Sequence, residues 1–72
     1  MKKISTNTPN VYATVNLGPI TDKHGNEYYE AKVTFYEKEI KTFTERSGIV
    51  RISRFDASRD AETIIQQRTS IG

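Results

Sequence analysis

Between Asn10 and Leu17 the chain alternates without a break. Val11, Ala13, Val15 and Leu17 fall on one side, and Tyr12, Thr14 and Asn16 on the other. Period two with one apolar side predicts a strand half-buried in a sheet. Gly18-Pro19 interrupts it as a bulge or an edge feature. Asp22-Lys23-His24-Gly25-Asn26 then has the chemistry of a tight turn, with an aspartate to open it and a glycine where φ is positive. Glu27 to Tyr36 is the strongest strand in the chain. Tyr29, Ala31, Val33 and Phe35 point one way, and Tyr28, Glu30, Lys32, Thr34 and Tyr36 the other. It pairs with the first strand as a hairpin.

After a polar break at Glu37-Lys38-Glu39, Ile40 to Thr44 reads as a third strand. Glu45-Arg46-Ser47-Gly48 reads as a second hairpin turn with Gly48 in the left-handed region. Ile49 to Phe55 reads as a fourth strand, in which a bulge near Ser53 returns Phe55 to the core. From Asp56 the period changes: Ala57, Ala61, Ile64 and Ile65 recur at helical spacing. Asp56 or Ser58 caps this helix, Asp60 and Glu62 lie in its first turns, and Arg68 lies near its far end, as the helix dipole favours. The expected architecture is an α+β fold, a small antiparallel β-meander of three to four strands with one C-terminal α-helix packed on one face. Residues 1–9 are expected to form a flexible tail and residues 10–72 a single α+β domain.

Composition narrows the possible functions. The chain has 72 residues and no cysteine, so neither a disulfide nor thiolate chemistry supports its thin core. Its one histidine, His24, stands in a turn without a cysteine or an obvious serine partner. A general base needs an oriented partner within reach, so the plain reading is a solvated turn residue. The acid pairs Glu37/Glu39 and Asp56/Asp60 have structural explanations, one flanking a turn and one at a helix start. The four glycines, Gly18, Gly25, Gly48 and Gly72, are isolated and build no phosphate loop. The expectation is a non-enzyme with no cofactor, no metal and no small-molecule substrate. No apolar run approaches a membrane span, and Lys2 and Lys3 are not followed by the hydrophobic stretch of a signal peptide. A cytoplasmic location is therefore expected.

Lysine and arginine total 11 against 9 acids, a net charge of +2, and the isoelectric point is near 9.0. That level prompts a search for a nucleic-acid footprint, and the sheet face opposite the helix supplies one. By period two it carries Tyr12, Thr14, Asn16, Tyr28, Lys32, Thr34 and Tyr36, with Lys41, Arg51 and Ser53 from the later strands. Tyrosine rings stack on bases or fill partner pockets, and cations beside them meet phosphate. The plain alternative is that tyrosine and threonine are good strand formers whose cross-strand pairs stabilise an exposed sheet without a ligand.

The stretch from Tyr29 to Arg68 resembles the N-terminal arm-type DNA-binding domain of phage and transposon tyrosine recombinases. The matching features are the Tyr29, Ala31, Val33 strand, the turn glycine Gly48 with Arg51 and Arg54, then Phe55, the cap residues Asp56 and Ser58, and a helix with Ala61. The resemblance implies a three-stranded sheet followed by one helix, DNA as partner, and Lys32, Lys41, Arg51 and Arg54 facing it. The chain departs from that family in its fourth strand, its modest charge and its end at Gly72 with no catalytic domain behind it. The resemblance then implies an excised domain or a stand-alone relative. The chain also resembles, more loosely, small phage-encoded inhibitors that block a host or defence protein. A host protein is accordingly the alternative partner, through the same face, and pairing of that face with a second copy as a homodimer is the third expectation.

Overall fold

The computed structural model describes residues 4–6 and 8–69. Among these residues five strands form one antiparallel sheet: β1 (Ile4–Ser5), β2 (Val11–Asn16), β3 (Ile20–Thr21), β4 (Glu27–Glu37) and β5 (Ile40–Arg51). One helix follows, α1 (Arg54–Thr69). The expected α+β architecture of antiparallel sheet and C-terminal helix is what the chain adopts.

β4 is the centre of the sheet. β2 pairs with it in the register Val11↔Glu37 to Asn16↔Lys32, and β3 continues that register with Ile20↔Tyr28 and Thr21↔Glu27. β2 and β3 are thus one strand interrupted at Gly18-Pro19, as the sequence suggests. The turn at the end of this hairpin is also the expected one. Asp22 Oδ1 accepts the backbone N–H groups of His24 (2.8 Å) and Asn26 (2.9 Å), and Gly25 has φ +83°.

The second half of the chain departs from expectation in three places. The polar break is a two-residue hairpin loop, Lys38-Glu39, with both φ positive (51° and 68°) and Glu37 paired to Ile40; this is the loop geometry whose twist matches the flanking strands. The hairpin turn expected at Glu45–Gly48 does not form, so the expected third and fourth strands are one long edge strand, β5. Gly48 does take a positive φ (73°), but inside a bulge where Ser47, Gly48 and Ile49 span the place of Ala31 alone, between Arg46↔Lys32 and Val50↔Glu30. Ser47 Oγ accepts the backbone N–H of Ile49 there (3.2 Å).

The strand stops at Arg51, and the helix begins at Arg54. Its cap is Ser53, not Asp56 or Ser58: Ser53 Oγ accepts the N–H of Phe55 (3.2 Å) and its carbonyl the N–H of Ala57 (3.2 Å). Phe55 is therefore in the first helical turn and 69% exposed, rather than returned to the core.

Part of the stretch expected to be a flexible tail, residues 1–9, joins the sheet. Ile4 and Ser5 pair with Ala13 and Tyr12, and the Thr6 hydroxyl donates to the Val11 carbonyl (2.8 Å). Residues 1–3, with Lys2 and Lys3, lie outside the described residues.

The core is small. Ala13, Ala31, Val33, Phe35, Ala57, Ala61 and Ile64 are its buried hydrophobic members. Alanines at Ala57 and Ala61 give the helix a narrow, shallow face that can lie close to the sheet. It packs over β4 and β5, and two ion pairs, one at mid-helix and one near its C-terminal end, fix it to β5. Asp60 accepts from Arg51 Nε (2.8 Å) and Nη2 (3.1 Å), and Glu45 accepts from Arg68 Nε (2.7 Å). Arg68 also lies over the Phe43 ring, which stacks on Phe35 with centroids 4.8 Å apart. Phe43 therefore sits at the rim of the helix side.

Candidate nucleic-acid interface

Residues directly opposite in a paired register share a face, so the register defines the side of the sheet without a helix. It consists of three cross-strand rows. Tyr12, Tyr36 and Lys41 form the first; Thr14, Thr34 and Thr44 the second; Asn16, Lys32 and Arg46 the third. Beyond the third row come Glu30 with Val50, then Tyr28 with Ile20. The threonine row is a ladder in which the Thr34 and Thr44 hydroxyls lie 3.2 Å apart. Thr14 is 7% exposed although no element of the described residues covers this side; its neighbours there are Tyr12 and Asn16 along β2 and Lys32 and Tyr36 on the diagonals across β4.

Of the residues expected to form the interface, the structure brings together Tyr12, Tyr28, Lys32, Tyr36 and Lys41. Arg51 and Arg54 are not among them. Arg51 pairs with Tyr29 in register, on the helix side, and is engaged by Asp60. Arg54 belongs to the first turn of α1 with its guanidinium 5.4 Å from the centre of the Tyr29 ring. Ser53 caps the helix instead of lying on the sheet.

The reason is one residue. Lys41 and Arg51 are ten apart and share a face under strict period two. Thr42, however, is an extra residue in β5 between Lys41↔Tyr36 and Phe43↔Phe35. Its hydroxyl donates to the Phe35 carbonyl at 3.1 Å and holds the bulge. One inserted residue exchanges the faces of everything beyond it, so Lys41 stays on the open side and Arg51 moves to the helix side. Arg46, assigned from sequence to a turn, takes the vacated place in the cationic row.

The third row itself carries only positive charge. Lys32 and Arg46 lie directly opposite each other, and no carboxylate of the described residues is within ion-pair distance of either. Glu30 is the acid nearest in the register. Asn16, Gly18, Glu30, Lys32 and Arg46 line a shallow depression of about 440 Å³. A larger one of about 890 Å³ lies along the flank of α1, among Ile4, Val15, Leu17, Ala61 and Ile65, where the helix leaves β2 half covered. No cluster of three or more histidine, cysteine, aspartate or glutamate side chains placed to hold a metal occurs among the described residues. No helix among them is long and apolar enough to cross a membrane.

A different kind of surface follows β5. Ile49, Val50, Ile52 and Phe55 are 47%, 56%, 83% and 69% exposed, an apolar stretch within seven residues of chain.

No family model matches the chain, and neither a curated protein nor a solved structure is significantly similar to it.

Proposed function

We propose that this chain is a non-catalytic binding domain that takes DNA on the open face of its sheet. One observation carries the reading: Lys32 and Arg46 face each other across β4 and β5 with no carboxylate paired to them. Like charges directly opposite destabilise a sheet, and a phosphate between them converts that cost into attraction. Tyr12, Tyr36 and Lys41 two rows away, and the hydroxyls and amide between, add stacking and hydrogen-bonding groups to the same surface. The likeness to arm-type recombinase domains points the same way, and with it an origin on a phage or other mobile element, but the contacting cations are Lys32, Lys41 and Arg46 rather than Arg51 and Arg54.

Fluorescence anisotropy with labelled DNA tests this. Binding is expected at 50 mM salt and should weaken steeply by 200 mM. Replacing Lys32 or Arg46 with alanine should reduce the slope of log affinity against log salt by about 1 each. Absence of binding at low salt would sink the reading.

A second reading, a module that binds a host protein, is favoured by the exposed stretch Ile49–Phe55, since apolar patches beside polar surfaces mark protein contacts. It would show itself as DNA-independent complex formation lost on Ile52→Asp.

A further inference from the structure

We infer that two copies of this chain join edge to edge through the last residues of β5, paired antiparallel about Val50. The inference is independent of what the open face binds. β5 is an edge strand: β4 lies on one side of it, and no strand of the described residues pairs with it on the other. Such an edge offers N–H and C=O groups to an extended chain that fits. The two ends of the chain attach elsewhere. Ile4 enters at β1, separated from β5 by β2 and β4, and the C-terminal end of α1 lies beside Glu45 through Arg68. Val50 lies further along β5, opposite Glu30. The segment beside it is the apolar stretch of Ile49, Val50, Ile52 and Phe55.

Shape is the first argument for a second copy. A strand paired antiparallel with its own copy is isologous, so every contact occurs twice. Centred on Val50, the pairing sets Val50 against Val50 and Ile49 against Arg51. It sets Ile52 of each copy opposite Gly48 of the other. Ile52 is 83% exposed. Gly48 has no side chain, and apart from its chain neighbours no atom lies within 4 Å of where a Cβ would stand. The most exposed side chain of the segment therefore meets its one gap.

Charge is the second. Centring the pair on Glu45 or Arg46 sets like charges directly opposite, which destabilises a sheet. From Gly48 to Ile52 the one charged residue is Arg51, and Asp60 of its own helix accepts two hydrogen bonds from it. Two open faces laid together would instead bring Lys32 and Arg46 of both copies into one place. The edge of β5 is thus the better seat for a homodimer than the open face. A chain of 72 residues with no cysteine has few other means of supporting a thin core.

The absence of cysteine makes the register testable, because Val50→Cys supplies the sole thiol. Directly opposite residues of an antiparallel pair have Cα atoms about 4.5 or 5.5 Å apart, inside the roughly 4.4–6.8 Å that a disulfide spans. Mild oxidation of the full chain carrying Val50→Cys should give a covalent dimer. Thr44→Cys, an exposed position further back on β5, should give it much more slowly. Without oxidation, sedimentation of the parent should pass from monomer to dimer between about 10 μM and 1 mM, the weak end expected of a short contact. Its melting temperature should rise with concentration.

Ile52→Asp should lose the dimer. Val50→Lys should lose it too, by setting like charges at the axis, while Glu30 across β4 gives the new lysine an opposite charge that supports the fold. Melting curves at low concentration establish that both fold. A parent monomeric at about 1 mM, a dimer that survives either folded variant, or cross-linking as fast at Thr44→Cys as at Val50→Cys overturns the inference. DNA binding by the open face is decided separately, by its own salt titration.

Discussion

The two faces of this sheet solve the same packing problem in different ways. On the helix side, Ala13, Ala31, Val33 and Phe35 are excluded from water by α1, and the alanines of sheet and helix let the two layers approach closely. On the open side Thr14 is almost as dry, at 7% exposure, although no element of the described residues is layered over it. There the shielding falls to longer side chains of the neighbouring rows, Tyr12, Asn16, Lys32 and Tyr36. The difference shows two ways of keeping side chains dry, and it extends to how each side treats its charges. The helix side pairs its charges, Arg51 with Asp60 and Arg68 with Glu45. The open side places Lys32 directly opposite Arg46, with no carboxylate of the described residues paired to either.

The comparison breaks first if the helix side is not where the stability lies. Phe35 is 1% exposed, the largest fully buried side chain, and is stacked on Phe43. Phe35→Ala removes the ring from a core whose other buried members are four alanines, Val33 and Ile64. The expected loss is about 3–5 kcal/mol, comparable with the whole stability of a domain this size. Thermal melting by circular dichroism should show no cooperative transition. A sharp transition within a few degrees of the parent would mean that the domain is held together elsewhere.

The first hairpin and the helix were legible because each rests on local chemistry that nothing distant contradicts: Asp22 and Gly25 make their turn, and Ala57, Ala61 and Ile64 make their stripe. β5 was not, and two residues account for it. Gly48 does occupy the left-handed region, as its position after Ser47 suggests, but such a glycine serves a bulge as well as a turn. Only the pairing of Arg51 with Tyr29 decides between them, and pairing is non-local. Thr42 gives no sign of being inserted until its hydroxyl is seen on the Phe35 carbonyl. Its effect is to take Arg51 off the candidate site, and the reading of Gly48 hid Arg46, which belongs there. The cap did leave a signal: Ser53 followed by Asp56 has capping-box spacing, masked by the expectation that the strand ran on to Phe55.

The open side predicts an opposite sign. If Lys32 and Arg46 repel across the sheet, Lys32→Thr should stabilise the chain by a few tenths to about 1 kcal/mol, because it removes the like charge and adds a good strand former. The same variant should bind DNA more weakly. A rise in melting temperature together with lost binding is the signature of a surface kept unstable for its ligand. Lys32→Thr that lowers the melting temperature would show that lysine stabilises the sheet through its aliphatic stem, and the contrast between the faces would shrink to one of shape.

The smallest effect separates the helix-side ion pair from the loops. The Asp60 carboxylate accepts two hydrogen bonds from Arg51, and this, ahead of the charge itself, holds its pKa below the ordinary 3.8. Asp22 is also held below 3.8, chiefly by the Asn26 backbone N–H. A carboxyl whose pKa falls on folding releases its proton more readily in the native state. Its contribution is therefore complete above about pH 4 and is lost as the pH drops through the lowered folded value. The melting temperature of the parent should fall along that acid limb. Asp60→Asn should flatten part of the limb, with a lower melting temperature than the parent at pH 7 and convergence of the two curves in strong acid. Asp22→Asn should flatten the remainder. A limb untouched by Asp60→Asn and abolished by Asp22→Asn would place the acid sensitivity in the turn and reduce the Arg51 pair to a means of keeping that guanidinium off the open face.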